Sequence, residues 1–92
     1  VGGFQTPEPG WHEKEPLPMT WNAEEYCFEV TDAGIADGVE WKFNVNKSWD
    51  ISLGGTINKL EVNSNKNLKV AGNTVKLYPT RKTKDNIYCT VE

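Results

Sequence analysis

The chain has 92 residues, a hydrophobic fraction of 37% and a formal net charge of −3 at neutral pH. This length suits one domain, and the acidic balance argues against a nucleic-acid-binding surface, which needs a basic excess. No apolar run approaches the roughly 20 residues of a membrane-spanning helix. The aromatic content stands out, because 4 Trp, 3 Tyr and 3 Phe are more than a core of this size needs. This surplus is the first indication of a binding surface.

Short apolar–polar runs between turn residues predict an all-β fold of about seven or eight short antiparallel strands, in a sandwich or barrel. The first twenty residues hold four of the five prolines, so we expect an extended loop there. The clearest strand is 39–45, where apolar and polar residues alternate. Other strands are predicted at 25–30, 49–53, 60–62, 67–70, 74–78 and 86–91. We expect one domain over 1–92, excised from a larger protein.

Two turn regions qualify this strand pattern. Gly54 and Gly55 follow the strand at 49–53, and we expect the chain to bend or bulge there. The last two strands should form a hairpin around the 79–85 loop. That loop holds the basic cluster 81–84, which we interpret as a solvated hairpin tip rather than a nucleic-acid contact.

Metal binding and catalysis are both weakly supported. Cys27, Cys89 and the only histidine, His12, are too few for a four-ligand zinc site, so we expect no metal and no cofactor. The two cysteines form either a disulfide or two buried free thiols, and we favour free thiols. No serine lies in a nucleophile motif, and the 13 acidic residues give chance carboxylate pairs without a catalytic pattern. The chain is therefore not expected to be an enzyme.

The four tryptophans differ in their sequence surroundings. Trp41 alternates with Phe43 and belongs to the core, whereas Trp21 shows no clear alternation. Trp11 follows the proline-rich lead and Trp49 lies at a turn, so each is either a lid on the core or part of an exposed platform. An indole face stacks on the C–H face of a sugar ring, and nearby polar groups then bond its hydroxyls. Suitable polar residues close to Trp49 are Lys42, Asn44, Lys47 and Asp50.

The stretch 40–50 reads EWKFNVNKSWD and is followed by Gly54 and Gly55; GW at 10–11 and LPMT at 17–20 precede it. Together with KNLKV at 66–70, this order resembles the starch-binding modules of SusE/SusF-type outer-membrane lipoproteins. It is also similar to the related glucan-binding modules of amylases and pullulanases. The resemblance extends over most of the chain.

The resemblance implies an immunoglobulin-like β-sandwich that binds starch-like α-glucan without cleaving it. By this resemblance Trp11 and Trp49 form a curved platform, and Lys42 bonds glucose hydroxyls. Asn44, Lys47 and Asp50 are further candidate ligand-binding residues. The resemblance also implies a cell-surface or secreted location and neighbouring domains in a larger protein. The alternative is an immunoglobulin-like structural or protein-interaction domain without sugar binding, in which both platform tryptophans would be buried.

Overall fold

A computed structural model describes residues 1–80 and 86–92. Within these residues the fold is all-β, without a helix, and its seven strands pair antiparallel in two sheets. This confirms the predicted class and strand number and is compatible with a small β-sandwich. The strands are β1 Thr20–Asn22, β2 Cys27–Val30, β3 Phe43–Val45, β4 Ser48–Thr56, β5 Lys59–Val62, β6 Val75–Tyr78 and β7 Tyr88–Val91.

The strand order is β1-β2-β6-β7 in the larger sheet and β3-β4-β5 in the smaller one. Apolar residues from both sheets form one buried cluster, as the alternating pattern predicts. Trp41 belongs to this cluster, as predicted, and its indole N–H donates to the Val70 carbonyl at 3.0 Å. The largest members of the cluster are Ile35, Trp41, Phe43, Leu53, Leu60, Leu68, Val75 and Leu77.

The two sheets are joined along one edge and bridged by a loop along the other. At the β5–β7 edge, Leu60 N donates to Ile87 O at 2.8 Å and Cys89 N to Ile57 O at 2.9 Å. At the opposite edge, residue Glu13 lies beside β3, because its carbonyl accepts from the Asn44 amide, and the chain then runs on to β1, which begins at Thr20. Residues 13–20 therefore cross from the smaller sheet to the larger one.

Several predicted strands are shorter than expected. The β6–β7 hairpin is confirmed, although residues 81–85, which include the basic cluster, lie outside the described residues. Of the predicted strand 39–45, only its last three residues form β3, and Trp41 makes isolated bridges to Gly2 and Leu68. The predicted strand 67–70 is reduced to that bridge at Leu68. Trp41 thus pairs with the N-terminal segment on one side and with the 67–70 segment on the other, instead of with a long neighbouring strand.

The expected bend or bulge at Gly54 and Gly55 does not interrupt β4, which continues through both glycines, although Gly55 has a φ of +109°. The glycines serve a close approach of another segment. Gly55 N donates to Lys66 O at 2.8 Å, and a Cβ at Gly54 would lie 2.3 Å from that same carbonyl oxygen. A side chain at Gly54 would push residue 66 away, so glycine is required by packing rather than by a turn.

Cys27 and Cys89 are free and buried, as we favoured. In the ladder Phe28 pairs with Leu77 and Leu77 with Cys89, so these three side chains share one face of the larger sheet. Cys27 precedes Phe28 and points to the opposite face. With β6 between their strands, the two thiols cannot form a disulfide in this fold.

Candidate functional site

The structure brings Trp11 and Trp49 together. Their ring centroids lie 6.0 Å apart and their planes are inclined by 40°. Neither residue belongs to the buried core cluster: Trp11 is half-buried and Trp49 is 40% exposed. The two indoles therefore form one continuous, angled aromatic surface from residues 38 positions apart in the sequence. We call this surface the tryptophan platform.

Trp49 reaches the platform through a bulge in β4. Val45 pairs with Ser48, whereas the preceding residue, Asn44, pairs with Ser52. One step along β3 thus corresponds to four along β4, and residues 49–51 are left without a ladder partner. A bulge redirects side chains away from the regular alternation of a strand. Here it frees Trp49 from the packing that position 49 would have in a continuous ladder.

Backbone geometry on both sides fixes this bulge. On one side, Asn46 and Lys47 both have φ near +56°, the conformation of a two-residue type I′ hairpin turn. On the other side, the Asn63 side chain accepts from Ser52 N at 2.9 Å and donates to Asp50 O at 3.3 Å. Ser48 Oγ also accepts from Asp50 N at 3.0 Å. The bulge is therefore held by hydrogen bonds that replace the missing ladder.

Trp11 is held by a loop folded around one glutamine. Gln5 Oε1 accepts from Gly2 N at 3.1 Å and from His12 N at 3.0 Å, while Gln5 Nε2 donates to Glu15 O at 3.0 Å. Trp11 N donates to Gly2 O at 3.1 Å, and Trp11 itself has a φ of 63°. The Gln5 side chain thus satisfies backbone groups that a loop without regular structure leaves unpaired.

Gly10 permits this loop to close. Its φ is +83°, and a Cβ there would lie 2.4 Å from the Gly2 carbonyl oxygen. Only glycine combines this left-handed conformation with so close a backbone approach. Glycine is therefore needed immediately before Trp11 because the loop closes at Gly10, and this closure places the Trp11 indole next to Trp49.

The other predicted site residues have separate positions. The Asn44 amide donates to Glu13 O at 3.0 Å, so it anchors the Trp11 loop to β3. The Lys42 ammonium donates to the Ser64 carbonyl; an ammonium has three N–H donors, so this bond alone does not exhaust it. Asp50 lies in the bulge next to Trp49 with an exposed side chain. Lys47 is exposed in the hairpin turn.

The sequence interpretation missed the residues that hold the platform. Asn63 directly follows the predicted strand at 60–62 and reads as an ordinary turn residue, and Gln5 carries no sequence signal that separates it from an ordinary loop residue. A positive φ at asparagine, here 54° at Asn63, is common in turns, but its side-chain bonds depend on the tertiary fold. Polar residues that position a site from a distance in sequence are found only once the fold is known.

The site offers stacking surfaces and hydrogen-bonding groups. Among the described residues, no group of three or more His, Cys, Asp or Glu side chains could hold a metal ion. The His12 ring lies 2.7 Å from the Pro7 carbonyl oxygen, within its own loop. In the described part of the chain, no helix has the length and apolarity to cross a membrane.

Comparisons of the chain with protein-family models, with curated proteins and with solved structures found no match.

Proposed function

We propose that the chain is a non-catalytic carbohydrate-binding module that stacks glucose rings of starch-like α-glucan on the tryptophan platform. In this proposal it delivers a larger surface or secreted protein to its polysaccharide. The observation that carries the proposal is the meeting of Trp11 and Trp49 as a tilted, solvent-accessible pair. Leaving large aromatic surface in water is unfavourable, and it is typical of surfaces that serve a partner.

The tilt between the two indoles favours a curved ligand. A flat sugar chain such as cellulose suits coplanar rings, whereas an α-1,4-linked glucan turns at each residue. The inclination of 40° gives two faces that neighbouring glucose units of a helical chain can stack on in turn. This geometry supports α-glucan over flat β-glucan as the ligand.

Polar groups around the platform supply the second requirement of sugar recognition. Asp50 is exposed beside Trp49, and Lys47 is exposed in the adjoining turn. Lys42 projects on the same side of β3 as Asn44, because both alternate with the buried Trp41 and Phe43. Such groups donate to and accept from hydroxyls, and a shallow site of this kind implies weak to moderate affinity.

Titration with maltoheptaose, followed by tryptophan fluorescence and by calorimetry, tests the proposal. We expect saturable binding, retardation in starch-containing native gels, and no retardation with xylan or mixed-linkage β-glucan. Trp49→Ala should weaken maltoheptaose binding at least about tenfold, since a central aromatic contact in an interface contributes on the order of 2 kcal/mol. A reducing-sugar assay should show no release from long glucans.

Trp21→Ala is the matched control, because Trp21 is also exposed, at 46%, but lies in the other sheet. The proposal fails if maltoheptaose does not bind, or if Trp49→Ala and Trp21→Ala bind it equally well. Under the alternative, a structural or protein-interaction domain, a partner protein would cover Trp11 and Trp49, and maltoheptaose would leave their fluorescence and their quenching by acrylamide unchanged.

A further inference from the structure

A second feature of the molecule is an apolar cavity between the sheets, which neither Trp11 nor Trp49 lines. Its volume is about 320 Å³. Protein interiors are packed so densely that few voids exceed the size of a water molecule, whereas ligand pockets begin near 300 Å³. The walls come from the inner faces of both sheets and from the 16–19 segment; the main apolar contributors are Leu17, Met19, Phe28, Ile35, Phe43 and Leu77.

The core is incompletely closed at the mouth of this cavity. Phe28 shares a sheet face with the buried Leu77, and Val45 alternates with the buried Phe43, so both side chains point between the sheets. Both are nevertheless exposed, at 38% and 36% respectively, and both line the cavity. Inward-facing apolar residues reach solvent here because no protein group fills the space between them.

The fold leaves this side accessible. The β5–β7 edge is sealed by backbone hydrogen bonds, whereas residues 13–20 cross between β3 and β1. Four residues of that crossing, Pro16, Leu17, Pro18 and Met19, line the cavity. Two of them are prolines, which lack an N–H, so this wall offers few polar groups to an apolar occupant.

The polar residues at the mouth select the charge of the occupant. Lys42, Asn44, Asn46 and Lys47 line the cavity, and no acidic residue does so within the described residues. The Lys42 ammonium donates to the Ser64 carbonyl and the Asn44 amide to Glu13, so each of these groups already has one bond to the protein that fixes its position. Lys47 is exposed and forms no ion pair in the described part of the chain. It is the cation available to a ligand.

We propose that this interlayer cavity binds a medium-chain carboxylate, with the alkyl chain between the sheets and the carboxylate at Lys47. The apolar walls desolvate the chain, and the lysine pairs with the anion at the solvent boundary, where its charge stays hydrated. The volume, at the lower end of ligand pockets, matches a single short chain rather than a two-chain lipid. The two sites share Lys47, and Lys42 and Asn44 also line the cavity, but the apolar walls include neither platform tryptophan, so decanoate binding does not require glucan binding.

Decanoate, used below its micelle concentration, is the probe. Calorimetry and amide NMR spectra of the intact chain should give saturable one-to-one binding, with shifts at Phe28, Val45 and Lys47. Decylammonium has the same chain with the opposite charge, and it should bind at least about tenfold more weakly because the mouth carries only a cation. Phosphatidylcholine vesicles should not retain the protein, which distinguishes a free carboxylate from a lipid surface.

Two variants and two controls locate the site. Val45→Trp fills the mouth at an already exposed position and should lower decanoate affinity at least about tenfold. Lys47→Met should weaken decanoate two- to fivefold, the range of an exposed ion pair, and leave decylammonium unweakened. Lys59→Met removes an exposed lysine of β5 and should bind decanoate as the parent does. Trp49→Ala should also retain decanoate binding, even where it loses maltoheptaose.

Three results would overturn this assignment. The first is no saturable binding of decanoate, and the second is equal affinity for decanoate and decylammonium. The third is a dimer in sedimentation that Val45→Trp dissociates, since a second copy would then cover the mouth. Each is independent of the outcome with maltoheptaose.

Discussion

Two exposed aromatic groups lie on different sheets of this molecule, and they differ in how the chain presents them. Trp11 and Trp49 are inclined by 40° and form one angled surface. Trp21 meets Phe28 at 63° and Tyr26 at 82°, with centroids 5.0 and 6.3 Å apart. In such edge-to-face contacts, the edge of one ring occupies the face of the next. The Trp21 group therefore has comparable exposure but no shared face for stacking.

The difference follows from the backbone behind each group. Trp21 and Phe28 are directly opposite in the β1–β2 ladder, so the sheet itself sets their side chains against each other. Trp49 lies in a bulge and Trp11 in a loop, outside any ladder. Exposure alone thus does not define a binding platform. Release of the side chain from the regular ladder allows its face to be turned outward.

The largest expected effect is on the stability of the larger sheet at alkaline pH, because β7 of that sheet carries the buried thiol of Cys89. Burial raises the pKa of the Cys89 thiol from 9.0 to about 12. Above pH 9 the unfolded chain loses this proton while the folded chain keeps it, so stability falls as pH rises from 9 towards 12. The slope from this group reaches up to about 1.4 kcal/mol per pH unit.

Urea unfolding at several pH values measures this slope. Cys89→Ala should be less stable near neutral pH because it leaves a void, but its alkaline slope should be shallower than that of the parent. If the free energy of unfolding fell equally steeply with pH in the two proteins, burial of the Cys89 thiol would not be the cause of the alkaline loss of stability.

The next effect concerns the clamp beneath the platform. Asn63→Ala removes the acceptor for Ser52 N and the donor to Asp50 O, and it places alanine at a φ of 54°. We expect a loss of about 2 kcal/mol in the free energy of unfolding and weaker maltoheptaose binding, although the Asn63 side chain bonds only backbone groups of the bulge.

Asn63→Gly separates the two causes in that variant, because glycine accepts the positive φ but still lacks the amide. It should recover part of the stability and little of the glucan affinity. Full recovery of affinity in Asn63→Gly would show that the backbone, not the clamp, positions Trp49.

The smallest effect is expected in the contrasting aromatic group. Trp21→Ala removes a half-exposed side chain at the edge strand β1 and should cost no more than about 1 kcal/mol of stability. Its maltoheptaose affinity should stay within about twofold of the parent. A tenfold loss, measured by the same titration, would place a second glucan contact on the larger sheet. The Trp21 group and the tryptophan platform would then not differ in sugar binding.

Much of the fold could be predicted from local pattern. Alternation gave the strand class and the core position of Trp41, and the terminal runs gave the β6–β7 hairpin. Turn residues near Trp11 and Trp49 suggested a loop position for both; Trp11 does lie in a loop, whereas Trp49 lies in β4, within its bulge. These features depend on residues close in sequence, where physical preferences act directly.

The remaining features depend on distant contacts. The residues from Ser48 to Leu53 look like an ordinary alternating strand, and the three-residue bulge is held by Asn63, more than ten positions away. Trp21 stays undecided from sequence because a three-residue strand is too short to show alternation. The interlayer cavity has no sequence signal, since it arises from how far apart two sheets are held.

The bulge in β4 has a consequence for protein engineering. Its residues 49–51 lie outside the pairing of both β3 and β5, with Val45–Ser48 closed on one side and Asn44–Ser52 on the other. Substitutions at 49 and 51 therefore leave the register of both flanks unchanged, and the backbone of Asp50 keeps its bonds to Ser48 and Asn63. Libraries that vary the sequence at these two positions would change one face of the platform relative to a fixed neighbour, and could retune ligand curvature while the scaffold stays constant.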